Sequence, residues 1–154
     1  VSNGNWKDRL KSCFEDLALI EKRQKETLEN FDQFYEFIAE PAFEVLSREL
    51  RNYKIKARYG RLRGREIRFT MNFPGSAVDN FHYELLLPRN SVELRFKLRL
   101  RGRRSSQSVL EERHMPFREN LPPAEVLKMD KETLILDIID HYRGFNCDAR
   151  TSPL

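Results

Sequence analysis

The sequence is poor in cysteine, histidine and glycine and holds no long apolar run. Its middle third is almost empty of acidic residues. Each shortage excludes something. Cys13 and Cys147 stand far apart and outside any C-x-x-C pattern, which argues against a disulfide framework or a zinc ribbon and favours a reducing compartment. Apolar runs of only a few residues predict no membrane span. With no apolar stretch resembling an export signal near the N-terminus, a cytoplasmic location is expected.

The three histidines offer little chemistry. His82 and Glu84 lie two apart on one strand face with no identifiable third ligand, so no metal is expected. His114 beside Glu112 reads as solvent-facing. Asp137 and His141, one helical turn apart, read as a local ion pair. Asp79, Glu84 and Lys97 fail the Asp…Glu-x-Lys nuclease pattern, because Glu93 and Lys97 are four residues apart. No glycine-rich phosphate loop or dinucleotide fingerprint is present, so no cofactor is expected and an enzyme is the third of three readings.

Charge is abundant and unevenly placed. Residues 51–104 hold fifteen Lys/Arg against four Asp/Glu, a local net of +11, between flanks of net −4 and −3. A basic middle of this kind concentrates positive potential and attracts anionic partners.

The apolar pattern says where that charge falls. Trp6, Leu10, Cys13, Leu17, Ile20, Gln24, Thr27, Phe31, Phe34 and Ile38 alternate steps of four and three, a heptad seam that predicts a helix ended by Pro41. About 34 residues at about 1.5 Å each span roughly 50 Å, more than one small domain can cover. The spacing therefore predicts a projecting part over 1–30 that pairs with a second copy, the C-terminal helix or a different protein, a single α+β domain over 31–145 and a flexible tail over 146–154. A short helix carrying Phe43, Leu46 and Leu50 should follow Pro41.

The period then becomes two. Strands are predicted over 53–59, 67–73, 81–87 and 92–101, and a fifth over 109–117, with short turns between them. Asp130 with Thr133 opens a last helix that Gly144 should close. The expected fold is α+β: a long N-terminal helix plus a short one, a four- to five-stranded antiparallel meander and a C-terminal helix, with all helices on one sheet face.

If the apolar residues face the helices, Lys54, Lys56, Arg58, Arg68, Arg95, Lys97, Arg99 and Arg101 share the opposite face, diluted only by Glu84 and Glu93. Arg61, Arg63, Arg65, Arg103 and Arg104 should lie at its rims. The segment Arg-Leu-Arg-Gly-Arg occurs at 61–65 and 99–103, at opposite ends of a meander; chance in an Arg-rich stretch is the leading explanation, and the functional alternative is that Gly64 and Gly102 let backbone amides approach a phosphate. The expected function is non-enzymatic binding of an anionic partner, nucleic acid or another polyanion, by the basic sheet face of a homodimer. The alternative is an adaptor or small chaperone gripping an acidic protein surface. Few aromatics point outward, so contact with a phosphate backbone is favoured over base stacking.

Overall fold

The computed structural model describes residues 4–74, 78–104 and 109–151. The chain opens with α1 (Gly4–Phe34), passes through a π-helical turn (Tyr35–Ala39) and continues as α2 (Glu40–Leu50). Pro41 therefore does not end the helix. Proline lacks an N–H and its ring presses on the carbonyl four residues back. Here the wide turn comes just before it: the Glu40 N–H bonds the Tyr35 carbonyl, five residues back, and Pro41 enters in the first turn of α2. The expected long and short helices are one run, roughly 70 Å long at about 1.5 Å per residue.

The seam divides in two. Phe31, Phe34 and Ile38, followed by Phe43, Leu46 and Leu50, are buried in the core. Every residue from 5 to 23 is exposed, including Trp6 at 58% and Phe14 at 62%.

Five strands follow in the order β1-β2-β3-β4-β5, an antiparallel meander: β1 (Lys56–Leu62), β2 (Glu66–Asn72), β3 (Val78–Leu86), β4 (Lys97–Arg104) and β5 (Val109–Pro116). Two boundaries differ from the alternation. Lys54 has φ +60°; its N–H bonds the Arg51 carbonyl and that of Ile55 the Leu50 carbonyl, closing the helix C-terminus with a left-handed residue. A strand can begin only after that turn. Residues 91–96 bend, with the Arg95 N–H on the Glu93 carbonyl, so ladder pairing in β4 starts at Lys97. Leu94 and Phe96 are still buried, and the Phe96 ring lies 4.9 Å from that of Phe34. Alternation reported burial there, and burial does not require pairing.

Ile67, Phe69, Met71, Phe81, Tyr83, Leu85, Leu98 and Leu100 form the covered face of the sheet. Phe43 of α2 meets Tyr59 and Phe69, with ring centroids 5.6 and 5.1 Å apart. Arg61 belongs to this face and not to the rim. Its guanidinium lies 4.8 Å from the Phe31 ring and bonds Asp32 at 2.8 Å, fastening α1 to β1.

After the short α3 (Pro123–Val126), α4 spans Lys131–Thr151. Asp130 caps it, accepting from the Thr133 N–H at 2.8 Å. The helix continues through Gly144, and residues 146–151 are helical. Glycine costs a helix about 1 kcal/mol, and the packing of Phe145 offsets that. This ring is fully buried, 5.5 Å from Phe81 and capped by the Arg113 guanidinium at 4.6 Å. Tyr83, also fully buried, donates its hydroxyl to Asp137 and ties α4 to β3.

Gly102 lies under Phe145 and not at an anion site: a Cβ there would sit 2.6 Å from the ring. Gly102→Val is expected to lower stability by about 1–3 kcal/mol through overpacking. The cost should shrink in a Phe145→Ala background, which thermal melts of the two variants and their combination would show. Among the described residues, no helix is long and apolar enough to cross a membrane.

Candidate anion-binding face

The register places the side chains of the open face row by row. One row across the strands reads Gly60, Arg68, Glu84, Arg99, His114; the next reads Arg58, Thr70, His82, Arg101, Glu112. Lys97 and Arg103 extend β4 on the same face, and Lys56 extends β1. Six of the eight residues expected on this face are there: Lys56, Arg58, Arg68, Lys97, Arg99 and Arg101. Lys54 is in the helix-closing turn. Arg95 lies in the bend before β4, its Nε 3.0 Å from Glu93 Oε2 and both side chains more than half exposed. Arg63, with φ +55°, and Gly64, with φ +73°, build the β1–β2 hairpin turn, so the first Arg-Leu-Arg-Gly-Arg copy is turn chemistry. The second copy supplies Arg99 and Arg101. The side chain of Arg104 lies outside the described residues.

Glu84, which by charge alone only dilutes the basic face, holds the site together. Glu84 is 0% exposed although it sits on the open face. Its carboxylate accepts five hydrogen bonds from three arginines. Arg99 donates from Nε at 3.0 Å and Nη2 at 3.1 Å, Arg101 from the same atoms at 2.7 and 3.0 Å, and Arg68 from Nε at 2.8 Å. Forked, charge-assisted bonds of this kind fix the guanidinium planes. Each arginine has five N–H donors, so most donors remain for another acceptor, and the three side chains are 22–31% exposed. One carboxylate among three guanidiniums leaves the cluster at a net charge of +2.

Burial alone would raise the Glu84 pKa. The hydrogen bonds from Arg99, Arg68 and Arg101 outweigh it and hold the carboxyl below its ordinary value. His82 is shifted down, first by burial and then by the charge on Arg101, and its Nδ1 lies 3.0 Å from Thr70 Oγ1. Both shifts carry the same sign for stability. In each case the unfolded chain binds the proton more readily, so stability is complete above the unfolded pKa and lost as pH falls through the folded one. Stability should therefore fall in two stages, below about pH 6.5 for His82 and below about pH 4.5 for Glu84. Denaturant titrations across this range check the order, and His82→Gln should remove the first stage alone.

Glu84 is thus committed to arginine, and among the described residues no group of His, Cys, Asp or Glu could hold a metal ion. His114 is exposed and 3.2 Å from Glu112, as expected of a solvent-facing pair. Among the described side chains the open face carries no phenylalanine, tyrosine or tryptophan. It can therefore offer positive charge and guanidinium donors but no aromatic platform. No family model, curated protein or solved structure matches the chain.

Proposed function

We propose that this protein is a non-enzymatic binding domain. Its open sheet face holds the sugar-phosphate backbone of a nucleic acid, or an equivalent polyanion, without reading sequence. The observation that carries the reading is the buried Glu84 with its three arginines. A carboxylate that needed only neutralising would take one partner. Three guanidiniums fixed by one acid form a preorganised cationic surface, whose side chains have already lost much of the rotamer freedom that binding would cost. Arg58 and Lys56 on one side and Lys97 and Arg103 on the other lengthen that surface to suit a chain of charges. The absence of aromatics from the described part of the face favours backbone contact, whose affinity falls with salt.

The second element of the proposal is self-association in the cytoplasm through the exposed half of α1. Its row of Trp6, Leu10, Phe14, Leu17 and Ile20 is a large apolar surface to leave in water. The free thiols of Cys13 and Cys147 suit a reducing compartment. Two copies would present two basic faces and raise avidity with no new contact. Deleting residues 1–23 should convert a dimer to a monomer in sedimentation and leave the melting temperature of the remaining domain nearly unchanged, because none of residues 5–23 is buried. The same apolar row supports a second reading, in which α1 grips another polypeptide. That reading predicts a monomer with α1 intact and a defined protein partner lost on the same deletion.

A further inference from the structure

At the outer edge of β1, where α2 ends, a groove of about 480 Å³ is lined by the polar residues Ser47, Arg51, Lys56, Arg58, Thr70 and Asn72 together with the apolar Ile55 and Ala57. Its volume falls in the range of small-ligand sites and far exceeds the share of one water molecule. No carboxylate lines it. Arg51, Lys56 and Arg58 have no ion-pair partner among the described residues, unlike Arg61 on the same strand, which is bonded to Asp32. The other polar groups are oriented. Thr70 Oγ1 is held at 3.0 Å from His82 Nδ1, and Asn72 Nδ2 donates to Asn80 Oδ1 at 2.7 Å.

A second observation is independent of this charge. Ser47 is only 9% exposed, and its Oγ is buried with no hydrogen-bond partner. Buried hydroxyls are ordinarily satisfied, and leaving one unpaired costs free energy. A helical serine hydroxyl can turn to solvent or bond the carbonyl four residues back; this one does neither. An unpaired donor beside three unpaired cations suits an acceptor with several oxygens and more than one negative charge.

We propose that this groove binds a phosphomonoester dianion, with Arg51, Lys56 and Arg58 neutralising the charge while the Ser47 hydroxyl turns about χ1 out of its buried position to donate to one oxygen. The site adjoins the open face through Thr70 and Asn72, so it deepens the anionic-partner reading. The phosphate can come from the end of a strand lying on the face or from a free phosphorylated molecule.

The test uses the full chain with three probes: an oligonucleotide ending in a phosphate, the same oligonucleotide ending in a hydroxyl, and inorganic phosphate. The phosphate-ended strand is expected to bind about tenfold more tightly than the hydroxyl-ended one, as one added charge-assisted contact gives. Inorganic phosphate should abolish the difference. Ser47→Ala combined with Arg51→Ala should equalise the two strands without weakening the hydroxyl-ended one. Ser47→Ala alone should melt no lower than the parent, since it deletes an unpaired group, and this separates a lost site from a lost fold. Phosphate binding that depends on Ser47 and Arg51, without any preference for the strand end, assigns the groove to a free phosphorylated molecule. The same binding with neither strand retained upholds the groove and defeats the face. Equal affinity for both strands together with no phosphate binding overturns the proposal, even if the face binds nucleic acid.

Discussion

Glu84→Gln is expected to destabilise the protein by about 2–4 kcal/mol, among the largest effects of any isosteric change in this chain. Removing one member of a buried ionic cluster leaves its partners uncompensated, at a cost of roughly 3–5 kcal/mol when they are fully enclosed. Here Arg68, Arg99 and Arg101 are 22–31% exposed and recover part of that cost by turning to water. The glutamine also directs an NH₂ at a guanidinium where a carboxylate oxygen now accepts. At about 2–4 °C per kcal/mol for a domain of this size, the melting temperature should fall clearly. Glu112→Gln on the same face is the control. Its side chain is 44% exposed and should cost almost nothing. A Glu84→Gln loss below about 1 kcal/mol would mean that the arginines do not depend on the carboxylate.

The second large effect concerns binding. Arg58→Glu with Lys97→Glu is expected to weaken polyanion affinity by about 100-fold or more at low salt. Both side chains are exposed, and neither belongs to the Glu84 cluster. The fold should therefore survive while the face loses two attractive charges and gains two repulsive ones on opposite sides of the cluster. Reversing Arg99 or Arg101 would confuse the result, because Glu84 would lose a partner. Arg95→Glu is the informative comparison. Arg95 lies in the bend before β4, paired with Glu93, and its reversal should change affinity by no more than about threefold. Equal losses from the two variants would show a response to overall charge and not to this face.

Most of the architecture was legible because burial on one side of a sheet leaves a period of two, and that period survives local irregularity. Leu94, Phe96, Leu98 and Leu100 are all buried as the alternation predicts, even though pairing covers only the last two. Helix ends were harder to read. Pro41 and Gly144 are strong local signals, overridden by a wide helical turn in the first case and by the burial of Phe145 against Gly102 in the second. The candidate site was half legible. Alternation places six basic residues on the open face, but a linear count of charge carries no cross-strand register and so makes Glu84 look like mere dilution. The signal was present in the alternation itself. Pairing the apolar positions of β2, β3 and β4 puts Glu84 between Arg68 and Arg99, which are 16 and 15 residues away in sequence. Ser47 left no such signal, since only the packing of α2 shows that its hydroxyl is buried without a partner.

The most direct measurement is the affinity for a mixed-sequence oligonucleotide across a series of salt concentrations. A face that engages a run of phosphates through Arg58, Arg68, Lys97, Arg99 and Arg101 predicts that log affinity falls linearly with log salt, with a slope of about −3 to −5 that is the same for unrelated sequences. Failure to bind at low salt, or binding that salt does not weaken, would contradict the account.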